Sequence, residues 1–168
     1  RNHNASSGDL YIFGDYVNTS FDDSWSYDFD FDGADISDRQ VYVWTEDNGS
    51  ILYTGGSLEI AGSSTATTSV ESSGSGTFSM TVTGTASSSF TYYRLRELDA
   101  LGLVFTGSPT VEELSYGDYL VTQNSASAIT LGGTVIDANP AQNYSGVSFA
   151  TSTGIDGINV TATGSSVS

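Results

Sequence analysis

Between Tyr27 and Asp38 the chain reads YDFDFDGADISD, in which Asp28, Asp30, Asp32 and Gly33 form a D-x-D-x-D-G run. Alternate carboxylates followed by a glycine turn are hard oxygen donors that can wrap Ca2+. Asp35 and Asp38 follow closely, so the candidate metal set is Asp28, Asp30, Asp32, Asp35 and Asp38. Counted from Asp28, the position where an EF-hand carries its bidentate Glu is Arg39, which excludes an EF-hand. The same spacing predicts a strand with Tyr27, Phe29 and Phe31 on one face and the aspartates on the other. The two readings are compatible, because a row of like charges on a strand face needs a cation or an arginine to screen it.

Arg94 and Arg96 flank Leu95 and so share one side of a predicted strand, with Glu97, Glu112 and Glu113 as candidate ion-pair partners. An anionic-sugar site is the alternative role for the pair. Tyr11, Phe13, Tyr16, Trp25, Tyr42 and Trp44 read either as a sugar-stacking platform or as the core of a small N-terminal unit. Catalysis fits poorly. There is no Lys, the single His is His3, and no G-x-S-x-G elbow is present to activate any of the many serines. The Gly-rich stretches precede no helix that would hold a phosphate. The expectation is therefore a protein that is not an enzyme.

The elements that position these residues follow from composition and pattern. Of 168 residues 38% are hydrophobic and only 14% charged, and Ser, Thr, Gly and Asn replace the Lys and Glu of exposed helix faces, which predicts an all-β fold. Apolar or β-branched runs that end in glycine recur at Ser57–Gly62, Phe78–Gly84, Leu103–Gly107, Ala128–Gly133 and Asn159–Gly164. The glycines Gly62, Gly84, Gly107, Gly132 and Gly164 are spaced by 22, 23, 25 and 32 residues, a drifting repeat. Further strands are expected at Thr67–Glu71, Phe90–Leu98, Thr110–Leu114, Tyr119–Thr122, Thr134–Asp137 and Gly146–Ala150. Short strands at this period predict a parallel β-helix (solenoid) of about five coils. An antiparallel β-sandwich is the alternative, although Asn-Gly and Asp-Gly hairpin dipeptides are confined to Asp32-Gly33, Asn48-Gly49 and Asp156-Gly157. Character changes near Ser50, which divides residues 1–50, an aromatic and Asp-rich junction subdomain, from residues 51–168, the solenoid.

The formal net charge is -16, from twenty acidic and four basic side chains. Such a surface repels nucleic acid and anionic membranes. The absence of Cys removes disulfides and thiolate metal sites. Sequons at Asn4, Asn18, Asn48, Asn143 and Asn159, together with the lysine-free, hydroxyl-rich composition, point to an extracellular or cell-surface location. The chain carries no initiator Met, signal peptide or long apolar run, so it reads as a processed segment without membrane insertion.

GVSFATSTGIDGINVTATGSS (Gly146–Ser166), YYRLRELDALGLVFTGSPTVEEL (Tyr92–Leu114) and TVIDANP (Thr134–Pro140) resemble coils of the tandem parallel β-helix modules of very large bacterial extracellular surface proteins. In such modules a final coil ending TGSS leads into a segment similar to RNHNASSGDLYIFGDY, which is Arg1–Tyr16 here. The resemblance implies a structural building block of an extracellular filament or surface fibre, assembled head to tail with copies of itself through its terminal segments. A carbohydrate-binding or adhesive surface module, with glycans as partners, is the alternative function. The resemblance also implies a cysteine pair near Val41–Asp47, and this chain has none.

Overall fold

The computed structural model describes residues 10–11, 16–18, 29–32, 41–45, 49–65, 67–72, 74–138 and 144–163, with side chains from residue 49 to residue 136 and from 144 onward. In chain order its elements are β1 (Leu10–Tyr11), β2 (Tyr16–Asn18), β3 (Phe29–Asp32), β4 (Val41–Thr45), β5 (Ser50–Tyr53) and β6 (Ser57–Ala61). There follow β7 (Thr68–Ser72), β8 (Phe78–Val82), β9 (Ser87–Thr91), β10 (Tyr93–Arg96), β11 (Leu98–Phe105) and β12 (Thr110–Ser115). The chain continues through β13 (Asp118–Val121), β14 (Ser127–Gly132), α1 (Gly133–Ala138), β15 (Tyr144–Ser145), β16 (Ser148–Thr151) and β17 (Ile158–Thr163).

These strands form three sheets, each built by pairing a strand with the one three places further along the chain. Sheet A runs β1-β4-β7-β10-β13-β16, sheet B runs β2-β5-β8-β11-β14-β17, and sheet C runs β3-β6-β9-β12-β15. Every pairing among the described residues is parallel. The antiparallel sandwich is therefore not formed: it needs hairpins between consecutive strands, and here consecutive strands lie in different sheets. Each successive triplet of strands adds one layer to all three sheets. Pairing also crosses position 50, since β2, β3 and β4 pair with β5, β6 and β7.

Alternation explains why these segments are strands. In β8 Phe78, Met80 and Val82 are buried while Ser79 and Thr81 are half-exposed, and β5, β9, β10 and β13 repeat that period of two. Parallel register then stacks like on like from layer to layer. In sheet B, Ile51, Met80, Leu103 and Ile129 form one row and Tyr53, Val82, Phe105 and Leu131 the next. Sheet A contributes Val70, Leu95 and Tyr119 and sheet C contributes Ile60, Phe90 and Leu114 to the same buried cluster. Each such side chain is worth about 1.5–3 kcal/mol in burial, so the shared core holds the three sheets together.

The glycine-ended runs are strands as expected, but they do not all occupy one sheet. Gly84 and Gly107 follow strands of sheet B and Gly132 ends one, whereas Gly62 follows β6 of sheet C; Gly164 lies outside the described residues. Two further expectations are corrected. Phe90–Leu98 is not one strand: Tyr92 (φ 48°) and Glu97 (φ 55°) take left-handed backbone and turn the chain from sheet C to sheet A and then to sheet B. Thr134–Asp137 lies in α1 instead of a strand. There Val135 is buried against the core and the Thr134 hydroxyl donates to the Gly107 carbonyl, contacts that override the strand preference of its β-branched residues.

Candidate functional site

β15, β16 and β17 are the last strands of their sheets, and each has a described neighbour on one side only. Tyr144 pairs in register with Leu114, Phe149 with Tyr119 and Val160 with Ile129. Those partners are fully buried core residues, so Tyr144, Phe149 and Val160 continue core rows into the terminal layer. Nothing described covers them there. Tyr144 is 43% exposed, Val160 46% and the neighbouring Ile158 43%. Phe149 stacks on Tyr119 with ring centroids 5.5 Å apart and is only partly buried, as are Val147 and Ile155 beside it. Partial burial raises the Tyr144 phenol above its ordinary pKa. Among the described residues, the terminal layer thus combines exposed apolar side chains with strand edges that have no described ladder partner.

At the opposite end the backbone register places apolar residue types on the same rows. Leu10 pairs with Val43, which pairs with Val70 in the row that reaches Phe149. Tyr16 pairs with Ile51 in the row that reaches Val160, and Phe31 pairs with Ile60 in the row that reaches Tyr144. Both end layers therefore present the residue classes that the inner layers use as core.

The two arginines are brought together as expected, but with a different partner. Arg94 Nε lies 2.9 Å and Arg96 Nη2 3.8 Å from Asp118 Oδ2, on the adjacent strand of sheet A, where Arg94 and Asp118 are register partners. The other Asp118 oxygen accepts the Ser148 hydroxyl at 3.0 Å. The proposed carboxylates are engaged elsewhere: Glu97 accepts the Ser72 amide, Glu112 the Ser87 hydroxyl and Glu113 the Ser115 hydroxyl. Glu97 is at a corner, and Glu112 and Glu113 are on sheet C, so none stands opposite Arg94. The cluster, each member about one-third exposed, is a surface ion-pair network.

Of the candidate metal ligands, Asp30 and Asp32 lie in β3, with backbone register to Glu59 and Ala61; Asp28, Asp35 and Asp38 lie outside the described residues. No group of His, Cys, Asp or Glu positioned to hold a metal occurs among the described residues. Asn159 is exposed on β17 and Asn18 lies in β2, while Asn4, Asn48 and Asn143 are outside the described residues. Sequence reasoning missed Tyr144 and Val160. Tyr144 sits in the polar run NYSG, and nothing local marks it as a core-row residue.

Among the described residues no helix is long and apolar enough to cross a membrane. Searches against protein-family models, curated proteins and solved structures give no match to this chain.

Proposed function

We propose that the three parallel sheets are the walls of a parallel β-helix and that the chain is a structural building block of an extracellular filament or surface fibre. Copies stack head to tail, the β15–β17 end of one meeting the β1–β3 end of the next. The observation that carries this is the continuity of core rows to both ends: Tyr144, Phe149 and Val160 at one, Leu10, Tyr16 and Phe31 at the other. Stacking places each exposed row on a matching row and gives the edge strands partners, as between inner layers. Parallel strands also make the two ends unlike, so the contact is heterologous and propagates instead of closing a dimer.

Electron microscopy and sedimentation of the purified chain test the proposal. Long polymers are expected for the native chain. Val160→Asp, which places a charge on an already exposed site, should abolish polymers and leave β-sheet circular dichroism and the thermal midpoint of the monomer unchanged. Compact monomers at every concentration, or polymers indifferent to Val160→Asp and Ile158→Asp alike, would overturn it.

A further inference from the structure

Tyr92 and Tyr116 close the same corner, between sheets C and A, in successive layers. Their rings are parallel, with centroids 4.5 Å apart and planes inclined by 4°. That separation is close to the roughly 4.8 Å between neighbouring strands, so the layer spacing itself sets the stack. Both residues hold left-handed backbone, φ 48° and 52°, a conformation that a bulky side chain rarely takes. The next corner is Gly146, where a Cβ would lie 2.7 Å from Tyr116 Cδ1; the glycine leaves room for the ring. Tyr116 is 48% exposed and Tyr92 half-buried, so an oxidant in solution reaches the pair.

We propose that Tyr92 and Tyr116 form an oxidative cross-linking site, joined as dityrosine by hydrogen peroxide acting through a haem-peroxidase class oxidant. Each phenol loses one electron and its proton to give a phenoxyl radical. The two radicals couple through the ring carbons ortho to oxygen, forming a carbon–carbon bond, and the hydrogens on those carbons move to the oxygens to restore both phenols. The pair has then lost two electrons and two protons, which reduce one peroxide to two waters. With no Cys for a disulfide and no Lys for a side-chain amide bond, tyrosine is the residue this chain offers for covalently tying one layer to the next. Tyr93 and Tyr119 supply an internal contrast. Their rings meet edge-on at 89°, their hydroxyls bond to each other at 2.8 Å, and both are buried away from an oxidant.

The experiment uses the full-length chain carrying Val160→Asp to keep it monomeric, so its outcome is independent of end-to-end assembly. Peroxide and a haem peroxidase are added, and the chain is unfolded and cut with trypsin. Cleavage after Arg94 and Arg96 places Tyr92 and Tyr116 on separate fragments. A joined fragment pair with dityrosine fluorescence, mapped by mass spectrometry to Tyr92 and Tyr116, is expected. Tyr116→Phe keeps a ring in the stack and should lose the link, whereas Tyr119→Phe should retain it. Fragments that separate fully after oxidation, or a link that survives Tyr116→Phe, would overturn the proposal.

Discussion

Replacing Tyr119 with Phe removes one hydroxyl of a bonded pair in the core and leaves its partner without one. Tyr93 and Tyr119 are 0% and 1% exposed, and their oxygens are 2.8 Å apart. A buried hydroxyl stripped of its partner costs about 1–3 kcal/mol, and Tyr93→Phe should cost a similar amount. Tyr93→Phe/Tyr119→Phe removes both groups together, keeps both rings, and should lie within about 1 kcal/mol of the native chain, far from the sum of the single losses. Urea denaturation of the four proteins, followed by circular dichroism, measures the cycle. The pair also predicts a pH dependence. Burial, the largest cause, raises both phenols above the ordinary 10.0. The unfolded chain therefore releases these protons near pH 10 while the folded chain retains them. The pair's stabilisation is complete below that pH and falls as pH rises above it. The double Phe variant should lose this part of the alkaline slope. Additive single losses, or an alkaline slope unchanged in the double variant, would refute the assigned coupling.

Gly102 (φ 71°) should be far less tolerant of Ala than Gly154 (φ 80°), although both are left-handed. A Cβ at Gly102 would strike the carbonyl oxygens of Ser127 and Ala128, while at Gly154 nothing lies within 4 Å. Gly154→Ala should cost about 1–2 kcal/mol for the backbone alone and Gly102→Ala distinctly more, read from thermal midpoints. Asp118→Asn should destabilise by about 1 kcal/mol or less, because its arginine partners are partly exposed, and the difference should shrink in high salt. The calcium expectation for Asp28–Asp38 requires that a chelator lower the thermal midpoint and that added Ca2+ restore it.

Much of the layered pattern was legible in the chain. Apolar and β-branched runs located β6, β8, β12 and β14 to within a residue or two, and the spacing of glycine-ended runs indicated a repeat of two or three short strands. What escaped were the corners. Tyr92 and Glu97 turn the chain with left-handed backbone but carry no Gly or Pro to announce it, so Phe90–Leu98 looked continuous. Thr134–Asp137 has strand-like residues in a helix because Val135 is held by the core.

By itself the sequence determined the class: abundant Ser, Thr and Gly with alternating apolar residues makes half-buried strands. Local pattern is sufficient there because pleat alternation is a property of each strand alone. Only the tertiary structure decided which residues meet across layers. It gave Asp118 to the arginines, stacked Tyr92 on Tyr116, and left Tyr144 and Val160 exposed in the last described layer. Those contacts and row neighbours lie 22 to 31 positions apart, and register between strands so distant is set by the whole stack of core rows at once.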